Sequence, residues 1–162
     1  MPPDQIFILS APIHSGKTTS LMHWATHHTN IYGIFSPVLN GKRVFMNAFT
    51  GEQFEMEAFN ELDVLLIGKF TFSVKAFERA IAVVRDATKK ENGWLVIDEI
   101  GPLELQGKGF APILSSILSD AKVSLQILLV VRDSILNDVI KEFGLDRYSV
   151  KLINTDSGLF ID

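Results

Sequence analysis

The sequence has no cysteine among its 162 residues. This excludes a disulfide framework, thiolate-bound zinc, iron–sulfur clusters and catalysis by a cysteine nucleophile. It also has no apolar run near the roughly 20 residues that a membrane-spanning helix needs. The first residues lack the basic segment of a signal peptide and carry Asp4 just before a short apolar run. We therefore expect a cytoplasmic protein with no membrane partner.

An excess of charge of one sign is missing as well. Fifteen basic residues against nineteen acidic ones give a net charge of −4, which argues against nucleic acid as a partner. The hydrophobic fraction of 47%, with 12 phenylalanines, excludes intrinsic disorder and supplies a core. Because the length is close to that of one domain, we expect a single domain over residues 1–162.

Short apolar runs alternate with segments of helical periodicity along most of the chain. Strands without polar alternation, separated by helices, predict an α/β fold with a mainly parallel sheet covered by helices on both faces. The turn signals Asn40-Gly41 and Thr50-Gly51 interrupt this pattern and predict a β-hairpin insertion of two or three antiparallel strands at about 31–56. The predicted strands are 5–9, 62–68, 94–97, 125–131 and 150–153, and the predicted helices are 17–29, 73–90, 110–119 and 134–143.

A phosphate-loop pattern follows the first predicted strand and opens the first helix. Residues 11–18 read Ala-Pro-Ile-His-Ser-Gly-Lys-Thr, which matches G-x-x-x-x-G-K-[ST] except for alanine at the first glycine. Backbone N–H groups at a helix N-terminus favour an anion, and glycine lets the chain approach it closely. The predicted nucleotide-binding residues here are Ala11, Pro12, Ile13, His14, Ser15, Gly16, Lys17, Thr18 and Thr19.

Within this loop, two side chains have predicted roles of their own. Lys17 would neutralise the β- and γ-phosphate oxygens, and the Thr18 hydroxyl would bind Mg²⁺. His14 stands where many such loops have glycine, and a side chain is acceptable there if φ stays negative.

A second acidic element follows the apolar strand at 94–97. In an open α/β sheet, ligands bind at the carboxyl ends of the strands, so Asp98 is predicted to hold Mg²⁺ beside the phosphate loop together with Thr18. Glu99 would orient or deprotonate the attacking water. Arg132 follows the strand at 125–131, so it either stabilises transition-state charge on the γ-phosphate or pairs with Asp133 or Asp98. Arg147 is a weaker candidate for the same role.

These motifs together resemble the small P-loop nucleoside-triphosphatases first known from thermophiles, which include a cancer-related human member. Residues 96–105, Val-Ile-Asp-Glu-Ile-Gly-Pro-Leu-Glu-Leu, resemble that family's V-I-D-E-I-G-[KP]-M-E-L signature. Residues 68–70, Gly-Lys-Phe, are similar to its G-K-Y stretch, and residues 41–44 stand where members have a G-x-R-x-G-F hairpin. Glu104 belongs to the signature, where it either orients the lysine or metal shell or caps the following segment.

The resemblance implies a P-loop NTPase fold with a RecA-like core and Mg²⁺-dependent hydrolysis of ATP, GTP and other nucleoside triphosphates, with little choice of base. It also extends the predicted nucleotide-binding residues to Asp98, Glu99, Ile100, Gly101 and Pro102. The predicted catalytic residues are Lys17, Glu99 and Arg132. Two departures, at residues 13–15 of the loop and at 38–40 of the hairpin, suggest a divergent bacterial branch.

Two other functions fit the same motifs. A nucleoside or nucleotide kinase is one, because the loop is similar to that of thymidine kinases; those enzymes, however, carry a cysteine-ligated zinc site, and this chain has no cysteine. A GTP-binding adaptor of cofactor assembly is the other. No N-K-x-D element for guanine is present, and the sequence does not say whether the chain has a protein partner.

Overall fold

The structure, a computed structural model, describes residues 6–57, 64–67, 70–148 and 150–153. Its strands are β1 (Ile6–Ala11), β2 (Ile31–Phe35), β3 (Val38–Leu39), β4 (Lys42–Asn47), β5 (Gln53–Glu55), β6 (Val64–Ile67), β7 (Phe70–Ser73), β8 (Trp94–Ile97), β9 (Gln126–Arg132) and β10 (Val150–Ile153). Its α-helices are α1 (Lys17–Ala25), α2 (Val74–Ala87), α3 (Pro102–Leu105), α4 (Ala111–Ser119) and α5 (Leu136–Glu142). Short 3₁₀ turns cover Asp133–Ile135 and Leu145–Arg147.

One large sheet organises the chain. Its strand order is β10-β1-β9-β8-β2-β4-β3, with β5 paired to β4. The pairs β10/β1, β1/β9, β9/β8 and β8/β2 are parallel. Since parallel strands bring their carboxyl ends to one edge, β1, β8 and β9 deliver the residues that follow them to the same place. In the register of β1 with β9, Ala11 lies opposite Arg132.

The region of the expected hairpin insertion is divided between two arrangements. β2 is a parallel partner of β8, while β3, β4 and β5 pair antiparallel at the edge of the same sheet. The expectation that the whole region stands beside the parallel sheet is therefore wrong for residues 31–35. Gly33 shows why β2 fits there: it has φ +101, and a Cβ at this position would overlap the carbonyl oxygen of Val96 in β8.

Helices cover the sheet on both faces, as the apolar strands predict. In β1, Phe7 and Leu9 face one side, where they pack with Leu21 and Trp24 of α1. Ile6 and Ile8 face the other side and belong to a larger cluster that includes residues from α2, α4 and α5. Alternate residues of a strand point to opposite faces, so a sheet buried on both sides needs strands that are apolar throughout.

The element boundaries differ from the sequence-based expectations in several places. The first helix ends at Ala25 instead of residue 29, and α3 and β7 were not predicted. The expected helix at 134–143 begins with a 3₁₀ turn before α5. Residues 62, 63 and 68 of a predicted strand, and Gly68 and Lys69 of the family motif, lie outside the described residues. None of the helices in the described ranges has the length and apolar character to cross a bilayer.

Candidate active site

The phosphate loop connects β1 to the first turn of α1. Gly16 caps the helix in the left-handed region, with φ +83. The Lys17 ammonium folds back over the loop and donates a hydrogen bond from Nζ to the carbonyl oxygen of Pro12, at 2.8 Å. Partial burial is the main cause that lowers the pKa of Lys17 below its usual 10.5, with Glu99 acting in the opposite direction.

His14 departs from the expectation of a negative φ. Its φ is +58, so the residue adopts the left-handed conformation that glycine supplies in many such loops. Among residues with a side chain, histidine is one of the more frequent in this region, and the ring is exposed to solvent. The loop therefore keeps its shape without the usual glycine, at a cost of about 1–2 kcal/mol in backbone strain.

Asp98 is the buried centre of the site. Its Oδ2 accepts hydrogen bonds from the Thr18 hydroxyl at 2.9 Å and from the Ser36 backbone N–H at 2.8 Å. Its Oδ1 is buried and has no hydrogen-bond partner within the described part of the chain. Burial raises the pKa of Asp98 to about 6, although the two hydrogen bonds oppose that effect.

Glu99 follows Asp98 but faces a different set of partners. Its carboxylate accepts from Arg43 Nη1 at 3.3 Å and from Arg132 Nη2 at 3.2 Å, while its backbone has φ +76. Positive φ is rare for a residue with a side chain, and such strain is concentrated at functional sites. The sequence suggested Asp133 or Asp98 as alternative partners of Arg132, but within the described residues its ion pair is with Glu99.

Glu104 caps the segment after Asp98. Its Oε1 accepts from the Gly101 N–H at 2.8 Å and its Oε2 from the Phe110 N–H at 3.1 Å. The side chain is buried, and this burial raises its pKa to about 7. Of the two roles considered for Glu104, these contacts favour the cap.

A cavity of about 460 Å³ opens over the phosphate loop. The residues that the sequence predicted for the site and that line this cavity are Ile13, His14, Ser15, Gly16, Lys17, Thr18, Thr19, Asp98, Glu99 and Arg132. The structure therefore brings together the loop, both acidic residues and the arginine. Ala11 and Ile100 are buried in the protein instead, and Pro12 contributes the carbonyl that accepts from Lys17. Arg147 lies elsewhere, where its Nε donates to the Gly144 carbonyl at 3.4 Å.

A second cavity, of about 490 Å³, adjoins the first. Gly101 and Pro102, predicted for nucleotide binding, lie on its wall and are absent from the lining of the first cavity. The two cavities share the residues Ile13, His14, Ser36, Arg43, Asp98, Glu99 and Arg132. The carboxylate of Glu99 and its two arginine partners thus stand between them.

Sequence reasoning missed Ser36 and Arg43 as site residues. Ser36 holds Asp98 twice, through its N–H and through its hydroxyl, which donates to the Asp98 carbonyl at 3.0 Å. Arg43 reaches Glu99 from β4. The Asn40-Gly41 turn was the available signal for Arg43. A tight turn makes the strand after it run back beside the strand before it, and Arg43 lies in that returning strand, β4. No comparable signal marks Ser36.

Comparison with known proteins agrees with this geometry. A family model described as NTPase matches residues 6–160. The structure of THEP1 from the hyperthermophile Aquifex aeolicus is similar, with 22% sequence identity and a TM-score of 0.71 over 91% of this chain and 88% of that one. The solution structure of a human cancer-related nucleoside triphosphatase is also similar, with 22% identity and a TM-score of 0.68 over 93% and 88% of the two chains.

No curated protein matches the chain in sequence. The two structural likenesses establish a P-loop NTPase fold, an α/β sheet that is parallel at its centre. The family model covers nearly the whole length of the sequence, and the chain belongs to that NTPase family.

Proposed function

We propose that this protein is a Mg²⁺-dependent nucleoside-triphosphatase that hydrolyses ATP, GTP and other nucleoside triphosphates to the diphosphate and phosphate. The observation that carries the proposal is the hydrogen bond between Thr18 and Asp98, residues 80 positions apart. It joins the first turn of α1 to the end of β8, next to the Asp98 Oδ1 oxygen, for which the described ranges of the chain supply no hydrogen-bond partner. A purely structural aspartate in this position would be expected to use both of its oxygens.

The donor set beside the phosphate loop fits Mg²⁺. The Thr18 hydroxyl and the Asp98 carboxylate are oxygen ligands, which this ion prefers, and it takes few protein ligands because it keeps waters and phosphate oxygens. Thr18 and Asp98 would hold the metal. When bound, Mg²⁺ neutralises the charge that develops on the phosphate oxygens.

The loop would bind the triphosphate by charge and by backbone donors. Gly16 leaves space for a close approach, since a Cβ there would meet nothing within 4 Å. Lys17 would exchange its hydrogen bond with the Pro12 carbonyl for phosphate oxygens, which carry a full negative charge and bind an ammonium more strongly. At the cavity over the loop, Ile13 and Val38 are 50% and 60% exposed, and these apolar surfaces suit contact with a base and sugar.

Glu99 and its two arginine partners would have different roles in the reaction. A bound γ-phosphate attracts both guanidinium groups, which stabilise the charge of the transition state. Release from one or both ion pairs leaves the Glu99 carboxylate as an acceptor for the proton of the attacking water. Arg43 joins the predicted catalytic group of Lys17, Glu99 and Arg132 on this proposal, since it contacts the same carboxylate as Arg132.

Phosphate release from ATP, GTP, CTP and UTP, measured with Mg²⁺ and with a chelator, tests the proposal. We expect release that needs the metal but neither an acceptor nor a partner protein, which separates a hydrolase from the kinase and adaptor alternatives. Lys17→Ala should abolish turnover and weaken nucleotide binding because the loop loses its fixed cation. Lys89→Ala is the matched control, since Lys89 is an exposed lysine just beyond the end of α2. Unchanged affinity and turnover in Lys17→Ala would refute the phosphate-loop assignment.

A further inference from the structure

The second cavity, next to the cavity over the phosphate loop, is large enough for a small molecule. We call it the aromatic cavity, and its apolar wall consists of Phe45, Met56, Phe72, Phe77, Leu103 and Phe110. Its volume of about 490 Å³ is in the range of small-molecule sites, whereas a water molecule occupies only about 30 Å³. Hydrolysis alone needs room for one attacking water. The aromatic cavity therefore has a size and lining that the proposed hydrolysis does not explain.

The rings of this wall form a preorganised surface. Phe45 lies edge-to-face against Phe77 and Phe110, with ring centroids 5.0 and 5.8 Å apart, and Phe77 and Phe110 are 5.7 Å apart. Aromatic pairs favour such contacts, which stabilise the rings against one another. Only 1–8% of each of these phenylalanines is exposed, and this narrow apolar surface favours a small, flat apolar group over a bulky one.

The polar end of the aromatic cavity is the Glu99 carboxylate with Arg43 and Arg132. All three residues also line the cavity over the phosphate loop. Glu104, which lines the aromatic cavity too, has each oxygen engaged with a backbone N–H. A ligand in the aromatic cavity would thus place its apolar part on the phenylalanines and its polar group at Glu99, beside the γ-phosphate.

We propose that the aromatic cavity binds a small aromatic alcohol, and that the protein transfers the γ-phosphoryl group of the nucleotide to the hydroxyl of that alcohol. This inference rests on the proposed binding of a nucleoside triphosphate over the phosphate loop. An uncharged hydroxyl is preferred to an anionic acceptor because Arg43 and Arg132 are already paired with Glu99 and would be shared with the γ-phosphate.

The transfer step balances without any further reactant. The hydroxyl oxygen forms a bond to the γ-phosphorus while the bond between that phosphorus and the β,γ-bridging oxygen breaks. The hydroxyl proton goes to the Glu99 carboxylate, and the products are a phosphate monoester and the nucleoside diphosphate. Arg43 and Arg132 stabilise the oxygens of the phosphoryl group in transit.

The test follows γ-³²P-labelled ATP in the presence of 2-phenylethanol, which has a phenyl ring and a primary hydroxyl. Ethanol supplies the hydroxyl without the ring, and toluene the ring without the hydroxyl. We expect labelled phosphate monoester with 2-phenylethanol, in at least about tenfold excess over ethanol at equal concentration, because burying a ring is worth that factor or more. Toluene should yield no ester and should inhibit transfer, and either aromatic compound should raise the unfolding temperature without nucleotide.

A pair of variants locates the site. Leu103→Phe adds bulk to the wall of the aromatic cavity and should reduce transfer to 2-phenylethanol while phosphate release to water continues. Leu105→Phe, the same change two residues along α3 and outside the lining of the cavity, should leave both reactions unchanged. If Leu103→Phe does not fold, competition by toluene against 2-phenylethanol gives the same information with the wild-type protein.

The outcomes separate this inference from the proposed function. Labelled ester from 2-phenylethanol supports it, whatever the rate of phosphate release. Inorganic phosphate without any ester overturns it and leaves the hydrolase intact, and a raised unfolding temperature without ester also overturns the transfer. Neither ester nor inorganic phosphate would mean that the proposed function fails together with the inference.

Discussion

Glu99 is a single carboxylate shared by two guanidinium groups, held on a backbone with φ +76. Glu99→Gln keeps the shape of the side chain and one acceptor oxygen but removes its charge. We expect kcat to fall by about 10²–10⁴, the usual contribution of a positioned base, with nucleotide affinity retained. Single-turnover rates and nucleotide titration check this. Glu55→Gln is the control, because Glu55 pairs with Lys42 on the exposed hairpin; hydrolysis by Glu99→Gln within a few-fold of wild type would make Glu99 structural.

At the scale of elements, the short helix α3 depends on one buried carboxyl group. The pKa of Glu104 is about 7 in the folded protein against 4.5 for an exposed group, so the folded state binds more protons between these values. The contribution of Glu104 to stability is then greatest below about pH 4.5 and is lost as the pH rises toward 7, by on the order of 3 kcal/mol. Urea unfolding across this range should show a smaller fall in Glu104→Gln than in the wild type, because the variant keeps only the fall that the raised pKa of Asp98 causes in both proteins. Equal slopes in the two proteins would contradict the assignment.

The close contact between β2 and β8 gives a second prediction for the elements. Gly33→Ala would drive a Cβ into the Val96 carbonyl oxygen, whereas Gly41→Ala, at a similar positive φ, meets nothing within 4 Å. We expect Gly41→Ala to cost about 1–2 kcal/mol, from backbone strain alone. Gly33→Ala should cost about 1–3 kcal/mol more, from the added overlap. Urea midpoints of the two variants measure the difference, and equal losses would show that β2 can move away from β8.

The same elements show where sequence reasoning works and where it stops. The strands at 94–97 and 150–153 have the predicted boundaries, because an apolar run between polar turns carries its own signal. The parallel pairing of β2 was missed, since the hairpin turns that follow it give a strong local signal and pairing partners lie far away in sequence. Ser36 enters the site through that pairing, which no local pattern of residues indicates, whereas the Asn40-Gly41 turn gave a local signal for Arg43.

At the scale of the whole molecule, the cavity over the phosphate loop is lined by segments that lie far apart in the sequence, among them those of Ile13, Val38 and Asp98. On the proposed function, the exposed apolar side chains of Ile13 and Val38 would contact the surface of a base and would not hydrogen-bond its edges. We therefore expect kcat/KM values for ATP, GTP, CTP and UTP to lie within about 10² of one another, since larger ratios need a site built to hydrogen-bond one group. A ratio of about 10⁴ or more in steady-state kinetics would reveal a dedicated base pocket.

The position of β1 between β9 and β10 has a consequence for the newly made chain. Its two neighbours are β9 and β10, so Ile6 pairs with Ile127 and Val150, more than a hundred residues later in synthesis. At about 5–20 residues per second, β1 waits roughly 5 to 25 seconds for its first partner. During that time the apolar segment Phe7–Leu9 has no sheet to join and is open to chaperones or to aggregation. The phosphate loop that follows β1 is therefore fixed in place late, after the ribosome has passed β9.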